Sequence, residues 1–321
     1  MINLGFWEKL KKPILCLAPM ADVTDCAFRQ IIAKYGKPDI FFTEFVSADG
    51  LSSAGKDKLL IDFIYSENER PIVAQIFGGK PENIKNVSAL CKELGFDGID
   101  INMGCPDKSV EKQCAGAAMM RDAKLAREII RSAREGGGGL PISVKTRIGY
   151  NKNEIETWIR ELLQENLSAL TVHLRTRKEM SNVPAHWDLM KRIVEIRDET
   201  KVETLILGNG DVMNLEEAKQ KIKETGCDGV MLGRAIFGNP WLFASKEYVS
   251  KSTKDKLKVM LEHTKLFEKM LGKHKNFAIM KKHFKAYVNG FDGAKELRMK
   301  LMETENASQV EKIINDFAGN I

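Results

Sequence analysis

The 321-residue sequence lacks the features that would place it in a membrane, in a disulfide-linked scaffold or around a zinc ion. No apolar run approaches the roughly 20 residues that a membrane-spanning helix needs. The apolar stretch near the N-terminus is short, contains prolines and runs into Asp22, so we interpret it as a first strand and not as a signal peptide. The six cysteines include no Cys-x-x-Cys pair. We therefore expect a cytoplasmic protein that binds neither a metal nor a membrane.

The sequence also has no Gly-x-Gly-x-x-Gly motif after its first predicted strand, where Ala-Pro-Met-Ala-Asp stands instead. Short apolar runs rich in branched side chains predict eight strands, at 14–18, 40–44, 72–77, 98–102, 142–146, 169–173, 204–208 and 229–233. Amphipathic segments of helical length separate most of them, at 83–94, 123–134, 154–165, 187–199 and 215–224. This alternation predicts an α/β protein with a (β/α)₈ TIM barrel. A doubly wound sheet is the alternative, which the missing dinucleotide motif weakens.

The pattern changes after residue 243, where strands stop and four helical patterns follow, at 255–271, 277–288, 297–301 and 310–317. We predict a barrel over residues 1–245 and a small C-terminal helical bundle over residues 246–321. The second segment holds 16 Lys/Arg and 10 Asp/Glu, whereas the first 245 residues hold 34 of each. This asymmetry indicates a polyanionic partner, and a lysine-rich solvated surface is the alternative. The four glycines at 136–139 predict a loop between a helix and a strand.

Polar or conformationally special residues follow the predicted strands, and in a barrel these strand ends meet at one mouth. They are Pro19, Met20, Glu44, Gln75, Asn102, Cys105, Lys145, Arg147, His173, Arg175, Asn209, Gly210, Asp211, Gly233 and Arg234. Each of them alone is more often structural, but their convergence indicates an active site. The glycine-rich segments after strands seven and eight predict phosphate binding, with Arg234 adding charge, as in a flavin mononucleotide site. Two tight glycine turns are the alternative.

Seven segments occur in an order that resembles the tRNA-dihydrouridine synthases: APMADVTDCAFR, VAQIFG, INMGCPDKSVEKQCAGAAMM, SVKTRIGY, HLRTR, GNGDV and GRAIFGNPWLF. The resemblance covers about residues 13–245, and the helical tail matches the C-terminal domain of the family in place and size. It implies an FMN-dependent barrel with a helical tRNA-binding domain, and NADPH or NADH as the electron donor. We expect tRNA as the partner and a monomeric enzyme.

The resemblance also implies roles for individual residues. It predicts flavin contacts at Pro19, Met20, Gln75, Lys145, His173, Asn209, Gly210, Asp211, Gly233 and Arg234. Asn102 and Arg147 would bind the target uracil, and Arg175 and Arg177 could reach nucleotides beside it. The RNA would be gripped by basic side chains of the helical tail, with Lys281, Lys282, Lys285 and Arg298 as candidates and Lys273 and Lys275 just upstream.

This assignment explains why a thiol stands in Asn-Met-Gly-Cys-Pro. Reduction of the C5–C6 bond of uracil needs a hydride at C6, from N5 of the reduced flavin, and a proton at C5, which Cys105 would donate as a neutral thiol. A uridine in folded RNA must leave its stack to reach the mouth. The segment KEMSNVPAHWD, at 178–188, lacks a glycine and an aromatic residue that many family members carry, and we expect this loop to face the substrate.

Two further hypotheses share parts of the pattern. A small-molecule flavin oxidoreductase, such as a pyrimidine or enoate reductase, would have the same barrel and phosphate loops but gives no reason for the basic tail. A nucleic-acid-binding protein with an inactive barrel would give no role to Cys105. Cys114, nine residues later, could approach the site, but we expect this second thiol to pack.

Overall fold

The computed structural model describes residues 2–244 and 252–318, and parallel strands form a single sheet in them. The strands are β1 (Ile14–Leu17), β2 (Phe41–Phe42), β3 (Val46–Ser47), β4 (Ile72–Phe77), β5 (Gly98–Met103), β6 (Ile142–Arg147), β7 (Ala169–His173), β8 (Leu205–Asn209) and β9 (Gly229–Leu232). Their order is β1-β9-β8-β7-β6-β5-β4-β2, and the short β3 pairs with β4 beyond the end of β2.

The sheet closes between its first and last strands. Cys16 and Ile40 form a parallel bridge, and the Asp39 N–H donates to the Leu15 carbonyl at 2.9 Å. Each of the eight predicted strands is found as a barrel strand, with β3 as a short addition after β2. The prediction of a TIM barrel is confirmed, and closure excludes the doubly wound sheet, whose edge strands would be unpaired.

Helices connect the strands on the outside of the barrel: α1 (Cys26–Tyr35), α2 (Ala48–Leu51), α3 (Lys56–Leu59), α4 (Pro81–Glu93), α5 (Lys108–Glu111), α6 (Ala123–Gly137), α7 (Ile155–Leu163), α8 (Met190–Thr200) and α9 (Leu215–Thr225). The sequence analysis did not single out α1, six of whose ten residues are buried. Its N-terminus is capped by the Asp25 carboxylate, which accepts from the Phe28 N–H.

The expectation of a loop at 136–139 was wrong for its first two glycines, which continue α6. A Cβ at Gly136 would lie 1.9 Å from the carbonyl oxygen of Lys85 in α4. Only glycine allows the two helix backbones to approach so closely. These glycines therefore serve helix packing, and α6 ends at Gly138 in the left-handed conformation.

Side chains alternate between the lumen of the barrel and the layer beneath the helices, as the pleat of a strand requires. Ile99, Ile101 and Met103 of β5 pack outward in the main core, whereas Asp100 and Asn102 lie between them in sequence and point to the other side. At the opposite end from the strand carboxyl termini, Trp7 joins the apolar lumen cluster and closes the barrel. The lumen thus has an apolar base and a polar upper half.

Four helices follow the barrel: α10 (Thr253–Leu271), α11 (Ile279–Tyr287), α12 (Ala294–Met302) and α13 (Ala307–Ala318). They confirm the four helical patterns, while the predicted boundary at residue 245 lies outside the described residues. The helices pack on α1, where the Phe28 ring stacks on His263 at 4.7 Å between centroids and meets His283 edge-on at 4.6 Å. None of the described helices is long and apolar enough to cross a membrane.

A buried ion cluster joins the helical region to the barrel mouth. The ammonium of Lys275 donates to the Glu44 carboxylate at 2.7 Å and lies 2.7 Å from Asp62. Burial raises the pKa of Glu44 to about 7, although Lys275 opposes the shift. The charge of Lys275, which lies just upstream of the RNA-binding candidates in the sequence, is therefore paired inside the protein, next to a strand end.

Candidate active site

A cavity of about 270 Å³ opens at the carboxyl ends of β1, β6, β7, β8 and β9. Nine of the ten predicted cofactor residues line it: Pro19, Met20, Lys145, His173, Asn209, Gly210, Asp211, Gly233 and Arg234. They come from five strand ends that are far apart in the sequence, so closure of the barrel is what assembles them. The cavity also includes Ser181 and Met213, which the sequence patterns did not single out because neither follows a strand directly.

One end of the cavity is built on the Asp211 carboxylate. It accepts from Arg234 at 2.6 Å through one oxygen, and from Arg175 and the Ala185 N–H, at 2.8 Å, through the other. Burial alone would raise the pKa of Asp211, but these hydrogen bonds outweigh it and hold the pKa below its ordinary value. Two guanidinium groups thus flank one carboxylate, and Arg234 keeps 60% of its side chain exposed for a further anion.

Gly210 gives this end of the cavity its shape. Its φ angle is +134°, and a Cβ there would lie 2.7 Å from the Cβ of Ala185. The Gly210 carbonyl accepts a hydrogen bond from the Trp187 indole at 2.8 Å. The backbone of β8 therefore turns close to the 176–186 loop in a way that only glycine permits, and this creates a concave wall.

Lys145 and His173 form the deeper wall. Within the described residues Lys145 has no hydrogen-bonding or salt-bridge partner, and burial together with the charge of Arg147 lowers its pKa to about 8. The ring of His173 accepts at Nε2 from Arg175, 3.1 Å away, because a guanidinium can only donate. Burial and the surrounding cations hold the pKa of His173 far below its usual range, so its imidazole is neutral.

Cys105 lies on the loop after β5 and is held by its backbone. The Asn102 carboxamide oxygen accepts from the N–H groups of Gly104 at 3.1 Å and Cys105 at 2.9 Å. The Cys105 carbonyl accepts from the Ala117 N–H at 2.9 Å. Burial raises the pKa of the thiol, although a hydrogen bond from the Asp107 backbone and the charges of Arg147 and Lys145 oppose the shift. The thiol is half-buried and protonated at neutral pH, which suits an acid.

Asn102 and Arg147, the predicted uracil contacts, are both engaged with the protein. Arg147 donates to the carbonyls of Gly104 at 2.8 Å, Thr176 at 3.1 Å and Met180 at 3.0 Å. It thereby ties the Cys105 loop to the 176–186 loop. Asn102 donates its amide to Gln75 at 3.0 Å. The geometry gives both residues a role in holding loops, and contact with uracil stays a prediction.

Gln75 is the predicted flavin contact that does not line the cavity. It is fully buried, and its amide donates to Asp100 at 2.6 Å. The sequence placed it correctly near the end of β4 but could not show this pairing, which depends on the register between β4 and β5. Asp100 is a functional candidate that we missed. Its only signal was that it stands two residues before Asn102 and so shares its face of the strand.

The arginines expected beside the target nucleotide are also paired. Arg175 is only 3% exposed and donates to Asp211 and, at 2.6 Å, to the Val183 carbonyl. Arg177 forms a two-point ion pair with Glu111, with Nε to Oε1 at 2.8 Å. Both side chains thus brace the 176–186 loop over the mouth. Cys114 was expected to pack but is exposed.

The predicted basic surface lies on α11, close to the mouth. Lys282 and Lys285 are exposed and Lys281 is half-buried, while Lys282 is 3.9 Å from Asp22, just past the end of β1. Arg298, also expected to face RNA, donates to the Val288 carbonyl at 2.6 Å at the end of α11. Within residues 2–244 and 252–318 no three His, Cys, Asp or Glu side chains converge as a metal site.

The closed parallel barrel and its polar mouth define a (β/α)₈-barrel enzyme with its chemistry at the carboxyl ends of the strands. Solved structures share this fold. Morphinone reductase matches with a TM-score of 0.52 at 11% identity, covering 75% of this chain and 86% of that chain. A 2-naphthoyl-CoA reductase complex matches with a TM-score of 0.51 at 12% identity, covering 72% and 49%.

The chain belongs to the dihydrouridine synthase (Dus) family, whose family model matches residues 16–320. It is 40% identical over 317 residues to the probable tRNA-dihydrouridine synthase 2 of Bacillus subtilis (strain 168), which covers 98% of this chain and 96% of that protein. It is 39% identical over 317 residues to the probable tRNA-dihydrouridine synthase of Staphylococcus aureus (strain COL), covering 98% and 95%. The resemblance drawn from the motifs is confirmed.

Proposed function

We propose that this protein reduces a uridine of tRNA to 5,6-dihydrouridine, with FMN as its cofactor and NADPH or NADH as the reductant. The observation that carries the proposal is the arrangement of the mouth. The cavity is lined by Arg175, Arg234 and a Lys145 that has no hydrogen-bonding partner in the described part of the chain, and Lys145 lies close enough to the half-buried Cys105 to influence its thiol. Family membership and the basic helix α11 at the edge of the same mouth support the choice of RNA as the substrate.

The donors in the cavity fit FMN. Arg234, Gly233 and the Gly210–Asp211 turn would hold the phosphate and ribityl chain, since a guanidinium and a close backbone suit an anion. The ammonium of Lys145, unpaired within the described residues, and the neutral imidazole of His173 would meet the polar edge of the ring system. Pro19 and Met20 offer an apolar surface beside them. In this assignment Asn209 contributes to the cavity lining, whereas the fully buried Gln75 acts from beneath it.

Removal of these donors is expected to weaken FMN binding. Lys145→Met or Arg234→Ala should each raise the FMN dissociation constant about 10- to 100-fold, because each removes a charge-assisted hydrogen bond of roughly 1.5–3 kcal/mol. The check is titration of flavin-free protein with FMN, followed by flavin fluorescence. Lys191→Met, an exposed lysine on the outer face of α8, is the matched control and should bind FMN normally. Unchanged affinity in both test variants would contradict the cofactor assignment.

The chain's own residues account for the rest of the reaction. When bound, the reduced flavin supplies a hydride to C6 of the base. Cys105 holds the proton that C5 receives, and burial keeps that proton on the thiol until it is needed. Asn102 and Arg147 hold the backbone of the Cys105 loop, and we expect both to contact the uracil when it is bound. The 176–186 loop, braced by Arg175 and Arg177, shields the mouth from water.

The helical region would grip the tRNA while the target uridine is turned out of its stack. We assign FMN binding and catalysis to residues 1–245 and tRNA binding to residues 246–321. Lys281, Lys282 and Lys285 lie on α11 beside the mouth and would contact phosphates. Because the substrate is tRNA, we place the enzyme in the cytoplasm, and we propose that it acts as a monomer.

Reversal of the α11 charges is expected to weaken RNA binding without affecting the flavin. The Lys281→Glu, Lys282→Glu, Lys285→Glu triple variant should raise KM for tRNA roughly tenfold or more, and flatten the dependence of KM on salt. Steady-state NADPH consumption at several salt concentrations measures both. The control reverses Lys191, Lys219 and Lys223, three exposed lysines on the outer helices α8 and α9 that do not line the cavity. Equal KM values in the two triple variants would show that α11 is not the RNA-binding surface.

The function itself is tested by incubating unmodified tRNA with the protein, FMN and NADPH, and then measuring the total nucleosides by mass spectrometry. Dihydrouridine should appear in proportion to the NADPH consumed. NADPH oxidation with bound flavin but no dihydrouridine would favour the small-molecule reductase, for which pyrimidines and enoates are then the substrates to try. Binding of tRNA without any turnover would favour the inactive barrel.

A further inference from the structure

A carboxylate that the proposed mechanism does not use lies directly beneath the site. Asp100 is 1% exposed in the lumen and does not line the cavity. The strand registers place it between Gln75 of β4 and Ser143 of β6. Its Oδ2 accepts from Gln75 at 2.6 Å, and its Oδ1 accepts from the Ser143 hydroxyl at 2.6 Å. Burial of a charge is costly, so its presence here calls for a purpose.

We propose that Asp100 is a positioning residue that fixes the direction of a hydrogen-bond chain ending at the Cys105 backbone. An ionised carboxylate can only accept, so the Gln75 NH₂ must face Asp100. The Gln75 oxygen then faces Asn102 and accepts from its NH₂ at 3.0 Å. This leaves the Asn102 oxygen toward the N–H groups of Gly104 and Cys105. Each step follows from the one before, and the first is set by the negative charge.

The direction of this hydrogen-bond chain matters, because its reversal would bring an NH₂ group against two backbone N–H groups, and donors repel donors. If Gln75 and Asn102 both turned their amides over, the Asn102 NH₂ would face the N–H groups of Gly104 and Cys105. The turn that holds the cysteine would lose both hydrogen bonds and gain a repulsion. The loop would then keep its contacts from Arg147 to Gly104, from Ala117 to the Cys105 carbonyl and from the Asp107 backbone N–H to the Cys105 thiol. Asp100 therefore controls where the thiol is held without touching it.

The groups around Asp100 also make the positioning of Cys105 depend on pH. The groups that face it are Gln75, Ser143, Lys145 and Cys16. Burial raises the pKa of Asp100 to about 6, with Ser143, Gln75 and Lys145 opposing the shift. A protonated carboxyl can donate as well as accept, so the hydrogen-bond chain loses its fixed direction as the pH falls through that value. The positioning of Cys105 should weaken on the acid side.

The inference rests on the proposed function for the meaning of the Cys105 loop, but its test has a readout that needs no RNA. The rate at which iodoacetamide alkylates Cys105, resolved from Cys114 by peptide mass spectrometry, reports how the thiol is held. The second readout is the rate of uridine reduction by protein whose flavin has been reduced beforehand. Both are compared in the wild type, Asp100→Asn, Gln75→Glu and the Asp100→Asn, Gln75→Glu double variant.

An asparagine at position 100 is isosteric but can present either an oxygen or an NH₂, so the single variant has no fixed direction. We expect uridine reduction to slow about 10- to 100-fold. Losses of this size are typical when a residue that orients the direct ligands of a metal site is replaced, and Asp100 orients Cys105 in a comparable way. KM for tRNA and flavin reduction by NADPH should stay within about twofold. In the double variant the carboxylate has moved to position 75, where it accepts from the amide introduced at position 100 and from Asn102, so the original direction and net charge return. Alkylation and reduction rates should move back toward the wild type.

A double variant no closer to the wild type than Asp100→Asn would overturn the proposal, as would equal slowing of both half-reactions. If Gln75→Glu proteins lose their flavin, the Asp100→Asn, Asn102→Asp double variant decides by alkylation alone. There the amide introduced at position 100 donates to Gln75, and Gln75 donates to the carboxylate introduced at position 102. That carboxylate still accepts from the Cys105 N–H, so the wild-type alkylation rate is expected. Absence of dihydrouridine with the wild-type protein would contradict the proposed function. The alkylation rates would still test whether Asp100 positions Cys105.

Discussion

Replacement of Cys105 by alanine is expected to slow reduction of the base by about 10²- to 10⁴-fold, the usual contribution of a positioned general acid. The loop should stay in place, because residue 105 donates its backbone N–H to Asn102 and accepts from Ala117 through its backbone carbonyl, and both groups remain in alanine. Reduction of the flavin by NADPH needs no proton from this thiol and should change less than about threefold. Stopped-flow mixing of pre-reduced protein with tRNA separates the two half-reactions.

The matched control is Cys114→Ala, which removes an exposed thiol nine residues later on the same segment. It should reduce the base at close to the wild-type rate, since the Cys114 side chain is not held by the Asn102 turn. Equal loss of both half-reactions in Cys105→Ala would show that the cysteine supports the flavin site. An unchanged rate of base reduction would show that another group supplies the proton.

Acidification is expected to destabilise the contact between the helical region and the barrel through two buried histidines. All four ring nitrogens of His263 and His283 lack a hydrogen-bond partner in the described part of the chain. Burial lowers the pKa of His283 to about 3, with Lys282 adding to the shift, and lowers that of His263 well below its usual value. Each ring therefore packs as a neutral aromatic against Phe28.

The sign of the effect follows from proton binding. Unfolded chains protonate histidine near pH 6.5, whereas the folded protein does not, so stability falls as the pH drops below about 6.5 and continues to fall toward about 3. Each histidine contributes about 1.4 kcal/mol per pH unit over that window. Glu44 acts in the opposite direction, because its raised pKa lets the folded state hold a proton between about pH 4.5 and pH 7. The histidines must therefore be isolated by substitution.

His283→Phe keeps a flat ring in the cluster and removes the titration. Its urea-unfolding free energy is measured between about pH 7.5 and pH 4.5, and below about pH 6.5 it should fall less steeply than that of the wild type by about 1.4 kcal/mol per pH unit. His274→Phe replaces an exposed histidine just before α11 and should leave the slope unchanged. Parallel curves for His283→Phe and the wild type would mean that this ring takes up its proton without unfolding.

The eight strands and their polar ends could be predicted because a barrel strand carries its own signal, a branched apolar run followed by a polar residue. Nine cofactor candidates were brought together by barrel closure alone. The pairing of Gln75 with Asp100 could not be predicted, because it depends on the register between neighbouring strands. The same holds for Lys275, whose partners Glu44 and Asp62 lie more than 200 residues earlier in the sequence.

Loops account for the remaining differences. Arg147, Arg175 and Arg177 have the charge expected of RNA contacts, and sequence alone cannot tell a substrate carbonyl from a protein carbonyl as their partner. The structure pairs them with the 176–186 loop or with Glu111.

The central claim is that this chain adds two hydrogens to a uridine of tRNA, and a mass map of one tRNA tests it most directly. Unmodified tRNA from the native host is incubated with the protein, FMN and NADPH, and nuclease fragments are scanned for a gain of two hydrogens. We predict a gain in one fragment, at one uridine, which the Cys105→Ala protein forms far more slowly. No gain in any fragment, with flavin bound and NADPH oxidised, would contradict the claim.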